Sequence, residues 1–247
     1  MNLLEDTVAW LTDPANWSGG DGIPLRLGEH LAVSAAALLV TIAIALPLGL
    51  FVGHTRRGAS VAINLANLGR ALPTLAVITI VLPLTTAIDP QLGFKFYPTL
   101  IALVVLGIPP ILVNTYVGIS GVDADLVESA RGMGLTEPQV LRRVEIPVAV
   151  PVLAGGIRSA AVQIVATATL GAIFGGGGLG RYLVEGIAQN DNGKIFGGVT
   201  LVAVLCLVTE GVFAMLQRRM TSPGLNQPRM GWGSRVQPGR PAGADAP

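Results

Sequence analysis

Residues 31–53 read LAVSAAALLVTIAIALPLGLFVG, twenty-three positions without one charged side chain. At ~1.5 Å rise per residue such a helix covers the ~30 Å hydrocarbon core of a bilayer. Working outward from it, uncharged or nearly uncharged stretches recur at residues 71–88, 96–122, 147–174 and 195–217. The start of the second is blurred, because residues 60–69 are also fairly apolar and Arg70 interrupts the run. Arg158 lies inside the fourth and Glu210 near the far end of the fifth. The expected fold is an all-α integral membrane protein with about five core transmembrane helices, an odd number that puts the termini on opposite sides. Three segments follow: residues 1–30 outside the membrane, 31–217 within it, and a tail over 218–247.

Composition supports this class. Of 247 residues, 51% are apolar and only 13% charged, and mean hydropathy is +0.63. A water-facing surface needs roughly a quarter of its residues charged, so ordinary soluble enzymes and disordered chains are excluded. Net charge is +1 with scattered basic residues, which leaves no footprint for nucleic acid. One cysteine, Cys206, excludes a disulfide framework or Cys-based zinc site, and His30 and His54 are too few for a histidine cluster. No metal or cofactor is expected.

Orientation follows from the Lys and Arg count of the connecting segments. Ten fall on one side: Arg56 and Arg57, then Arg131, Arg142 and Arg143, then five in the C-terminal segment. Four fall on the other: Arg26, Lys95, Arg181 and Lys194. The N-terminus is therefore expected outside and the C-terminus in the cytoplasm. Residues 1–30 hold five acids and one arginine, the reverse of a signal-peptide start. Leu4, Val8 and Leu11 at helical spacing, with Trp10 and Trp17, fit either a short interfacial helix or an untethered terminus. Residues 220–247 carry five Pro and five Gly, the composition of a disordered tail.

The longest internal polar stretch, residues 123–145, reads DADLVESARGMGLTEPQVLRRVE between the third and fourth spans. Leu126, Ala130 and Met133 form one stripe of a first short helix, and Gly134 offers a left-handed stop. Thr136 with Gln139 three residues on forms a capping box for a second, with Pro138 in its first turn and Pro147 as its expected break. Such a knob suits either a groove on a soluble partner or the bilayer surface.

Within this stretch, Glu128, Ser129, Ala130, Gly134, Val144, Ile146 and Pro147 keep the spacing E-A-A-x3-G-x9-I-x-L-P, with Ser129, Val144 and Ile146 as the departures. That pattern resembles the cytoplasmic signature of ABC importer permeases. NLGRALPTLAVITIVLPL and GIRSAAVQIVATATLGAIFGGGGLGRYLVEGI, with residues 29–58, look like the transmembrane subunits of osmoprotectant importers, and the likeness runs from about residue 5 to 217. It implies a type I importer permease in a bacterial cell membrane. The implied partners are a second permease protomer, homo- or heterodimeric, two ABC ATPase subunits and an extracytoplasmic substrate-binding protein, with lipid around them. By match, the seven residues form the ATPase-coupling loop.

Gly175, Gly177 and Gly180 satisfy G-x-G-x-x-G, but they follow a long apolar helix where a nucleotide fold needs a strand. They read as a flexible external connection. Neither Lys95 nor Lys194 stands in a P-loop, so the chain is no ATPase and hydrolysis falls to a partner. A charge as deep as Arg158 is costly unless it pairs, snorkels or faces water, and it serves as path residue or interfacial anchor. Thr167 and Thr169 either line the path or bond back to helix carbonyls, and Pro73, among several prolines, is a gate candidate. All three tryptophans lie outside the spans, so an aromatic cage for a quaternary ammonium is not expected in this subunit. The expected function is the transmembrane permease subunit of an ATP-driven importer of glycine betaine, carnitine, choline or proline betaine. Alternatives are a permease for methionine or another amino acid, and a secondary transporter or channel acting alone.

Overall fold

The computed structural model describes residues 2–220, which contain helices and turns only. The expected tail over 218–247 lies almost wholly outside them. Eleven α-helices run in chain order: α1 (Leu3–Thr12), α2 (Ile23–Thr55), α3 (Ala59–Ala71), α4 (Thr74–Ile88), α5 (Leu92–Lys95), α6 (Tyr97–Ser120), α7 (Ala124–Gly132), α8 (Glu137–Val140), α9 (Ile146–Thr167), α10 (Gly180–Gln189) and α11 (Asn192–Met220). Among the described residues, four runs are long and apolar enough to cross a membrane: Ile23–Thr55, Leu92–Ser120, Glu137–Phe174 and Asn192–Met220.

The fifth apolar helix, α4, has 15 residues and covers about 22 Å at 1.5 Å per residue. It starts at Thr74, not at residue 71, because Pro73 lacks a backbone N–H and restricts Leu72 to extended conformation. The other prolines of the apolar stretches do not break their helices: Pro47, Pro83, Pro109 and Pro110 all sit inside continuous ones.

Helix α6 is the hub, with α2 and α9 packed on it and α11 on α9. Lipid tails are as apolar as leucine, so helices in a bilayer associate through close approach of small side chains. The buried stripe of α2, through Ser34, Ala37, Thr41, Ala45, Gly49 and Val52, has that character. At Gly107 of α6, an added Cβ would stand 2.9 Å from Ile164 of α9 and 3.0 Å from Thr41 of α2, so both neighbours converge on this one glycine. Ala37, Leu103, Val104, Ile164 and Ala168 form the core around it.

The N-terminal segment is tethered to the helix bundle. Helix α1 packs on α11, its Trp10 ring edge-on to Tyr182 at 5.0 Å and seated over Gly197. Helix α9 ends in a 3-10 turn over Ala168–Phe174, and the glycines that follow are held rather than loose. Gly178 donates its N–H to Glu29 Oε2 at 2.8 Å, Gly176 to the Gly171 carbonyl at 3.0 Å, and Gly178 has a φ of +86°. Glu29 is itself held by Arg26, which also pairs with Asp21. A left-handed conformation that only glycine adopts cheaply, together with a carboxylate anchor, replaces the expected flexible connection.

Candidate functional site

The polar stretch between the long apolar helices folds as the capping signals dictate. Asp123 opens α7 by accepting the Asp125 N–H at 2.9 Å. Gly134 closes it with a φ of +86°: the Leu135 N–H reaches the Ala130 carbonyl at 3.2 Å and the Gly134 N–H the Arg131 carbonyl at 2.9 Å. Those two bonds are the Schellman pair that satisfies the last carbonyls of a helix. Thr136 then caps α8 in a full capping box, its N–H donating to Gln139 Oε1 at 2.9 Å.

Pro147 is not a break. Helix α8 runs through a π turn over Leu141–Glu145 directly into α9, where Pro147 lies in the first turn. Proline lacks an N–H and its ring crowds the carbonyl four residues back. In the π turn the Ile146 N–H bonds instead to the Leu141 carbonyl five residues back, and this wider turn just before Pro147 lets the helix continue. The loop is therefore one short helix, a glycine corner, and one end of a rod long and apolar enough to cross a membrane.

The expected apolar stripe divides. Ala130 is 1% exposed and anchors α7 inward, whereas Leu126 at 45% and Met133 at 75% face outward. Glu128 and Ser129 are exposed, as are Gly134 and Pro147, while Val144 and Ile146 are half-buried. Ile146 packs with Leu141 against Ile119, Ala149 and Leu153. Leu126 and Met133 thus stand exposed on a capped, outward-facing corner.

Behind that corner lies an ionic network that sequence reading did not find. His54, in the last turn of α2, places Nδ1 2.6 Å from Glu145 Oε2 and Nε2 3.2 Å from Glu137 Oε2. Glu145 is 5% exposed, a carboxylate whose burial requires such a partner. Arg131 of α7 grips Glu137 through two bonds of 2.9 and 3.1 Å, which hold the Glu137 carboxyl below the ordinary carboxylate range. Arg56, left-handed at φ 56°, donates to the Ser120 carbonyl at 2.9 Å. A polar hollow of about 120 Å³ opens among His54, Arg56, Glu128, Arg131 and Glu145. His54 and Glu145 are 91 positions apart, and no local pattern relates them.

The four path candidates are not brought together. Arg158 pairs with Glu210 and donates to Gln217 Oε1 at 3.1 Å, and Gln217 donates to the Pro151 carbonyl at 2.9 Å, which joins α9 to α11. Thr169 bonds back to the Ala166 carbonyl at 2.9 Å, Thr167 ends α9, and Pro73 stands between α3 and α4. A separate hollow of about 270 Å³ opens at the other end of the bundle, lined by Glu29, Val33, Lys95, Phe96, Thr99 and Ala168 among others.

Comparison with known proteins adds to this geometry. Residues 45–222 match the family described as binding-protein-dependent transport system inner membrane component. The glycine betaine/carnitine/choline transport system permease protein OpuCB of Bacillus subtilis is 36% identical over 208 residues, 84% of this chain and 93% of that protein. The choline transport system permease protein OpuBB of the same organism is 36% identical over 210 residues, 85% and 94% of the two chains. The osmoprotectant import permease protein OsmW of Salmonella typhimurium is 30% identical over 220 residues, 89% and 99%. Among solved structures, an inward-facing MetNI methionine ABC transporter superposes with a TM-score of 0.72 at 21% identity, over 81% of this chain and 96% of that one. An amino acid ABC transporter with histidines superposes at 0.63 and 17% identity, over 80% and 93%. At these identities the structures establish the fold alone, that of an importer permease.

Proposed function

The chain belongs to the family of binding-protein-dependent transport system inner membrane components, and from that premise we propose that it forms the translocation pathway for a betaine-like osmoprotectant. It is a multi-pass membrane subunit of an ABC importer, and ATP hydrolysis belongs to separate ATPase subunits. The observation that carries the solute assignment is the likeness to permeases named for glycine betaine, carnitine and choline, which extends over more than nine-tenths of their length. We assign the pathway to a pair of permease protomers and the capture of solute to an extracytoplasmic binding protein. The excess of basic residues beside residues 56–57, 131–143 and 218–219 supports a cytoplasmic C-terminus and an external N-terminus.

On this reading residues 123–145 are the ATPase-coupling loop. Leu126 and Met133 supply apolar contact, the left-handed Gly134 lets the partner approach closely, and Glu128, Ser129, Ala130, Val144, Ile146 and Pro147 hold the shape. Thr167, Thr169 and Pro73 are the candidates for path and gate, and Arg158 serves the joint between α9 and α11. In a host lacking other osmolyte uptake, the complete system should import labelled glycine betaine, carnitine or choline at high external osmolarity. Excess methionine should not compete. Methionine competition without betaine uptake would keep the importer and overturn its solute.

A further inference from the structure

The rod formed by α8, the π turn and α9 touches α2 through polar ties at both ends. At the external end, His30 Nε2 lies 2.9 Å from the Val165 carbonyl of α9, and in the glycine segment that follows the rod Gly178 donates its N–H to Glu29. At the cytoplasmic end, His54 meets Glu137 and Glu145. Glu145 and Val165 are twenty residues apart, about 30 Å along a helix, so the two ties stand a membrane's thickness from each other. Between them α6 lies against both helices, with Gly107 facing Thr41 on one side and Ile164 on the other.

Residues eight apart in an α-helix are offset by about 80° at 3.6 per turn. The π turn over Leu141–Glu145 lowers that offset and turns both Glu137 and Glu145 toward His54. π turns mark functional positions more often than chance. The charged groups around the imidazole are Glu137 and Glu145 on the rod, Glu128 and Arg131 on α7, and Arg56 next to the end of α2. His54 lies behind the exposed face of the loop, so its connection to a docked partner runs through the loop.

We propose that His54 is a positioning residue of energy coupling: it locks the cytoplasmic end of α2 to the coupling loop, so that ATPase movement displaces α2 and α9 as one body. This rests on the functional reading above. The complete transporter, reconstituted in proteoliposomes, is compared as wild type, His54→Leu, His54→Gln and Glu145→Ala, with labelled glycine betaine imported per ATP hydrolysed as the readout. The ratio falls by about fivefold or more in His54→Leu and Glu145→Ala, the scale of a typical coupling between sites. His54→Gln, which keeps a polar end, recovers part of it.

A second variant separates coupling from folding. In a Cys206→Ser background, His54→Cys with Glu145→Cys is uncoupled when reduced, and it regains its ratio when a short bis-methanethiosulfonate spacer joins the two thiols. A wild-type ratio in His54→Leu, including one in which uptake and hydrolysis fall in equal proportion, overturns the proposal. So does a spacer-linked transporter that stays uncoupled. Absence of ATP-driven uptake by the wild type overturns the functional reading itself, a separate result.

Discussion

Substitution at Gly134 separates backbone strain from partner contact. Nothing lies within 4 Å of a Cβ built there, so within this chain a side chain meets open space. The residue's φ is +86°, and an L-residue in the left-handed region pays roughly 1–2 kcal/mol. That strain acts on the Schellman bonds from Leu135 to Ala130 and from Gly134 to Arg131, which fix the corner between α7 and α8. If the free corner relaxes to relieve that strain and must be rebuilt on docking, about 1.4 kcal/mol lowers ATPase affinity by about tenfold in Gly134→Ala. Asn enters the left-handed region at lower cost, so strain alone would leave Gly134→Asn close to wild type. If the ATPase packs against the corner, bulk outweighs backbone preference. Asn and Asp then bind at least as weakly as Ala. Binding of the purified ATPase to the permease in nanodiscs, with solute-stimulated hydrolysis measured on the same samples, gives the order. Wild-type affinity in all three variants would remove the loop from the docking surface, and a defect confined to Ala would remove the close approach.

Three further outcomes are expected. In a Cys206→Ser background, single cysteines at the exposed Ser18 and Gln91 should react with an impermeant thiol reagent added outside cells, and one at Gly58 should not; the reverse pattern would invert the topology. Gly197→Ala places a Cβ inside the Trp10 ring contact, which should displace α1 from α11, shift Trp10 fluorescence to the red and lose the Trp10–Tyr182 pair, worth about 0.5–1.5 kcal/mol. An unshifted spectrum would contradict the docking of α1. Because Arg131 holds Glu137 below its ordinary 4.5, their pairing contributes fully above that pH and is lost as pH falls through the lower folded value. A spin label at Ser129 should therefore gain mobility only on acidification below that range, and a change between neutrality and mild alkali would contradict the assignment.

Much of this molecule is legible in its sequence for simple physical reasons. The long spans are written in runs of uncharged residues, because the bilayer penalises every exception. The corner of the loop is equally legible: Gly134, Thr136 and Gln139 are local signals whose partners lie within a turn of each other. Interactions between distant segments leave no such trace. His54 with Glu145, Arg158 with Glu210 and Trp10 with Tyr182 are pairings made by packing, and each partner taken alone looks like an anchor or an isolated polar residue. Pro147 was expected to stop a helix from its own chemistry, and only the π turn before it explains its tolerance. The glycines after residue 174 looked flexible because a single sequence cannot show Glu29 holding their backbone.

The central claim, a passage powered and supplied by partner subunits, is tested most directly in proteoliposomes containing this chain with its ATPase, second protomer and binding protein. Uptake of labelled glycine betaine should require ATP and every partner, and should be indifferent to an uncoupler. Uptake by this chain alone, abolished by the uncoupler and unchanged by ATP, would contradict the account and establish a secondary transporter.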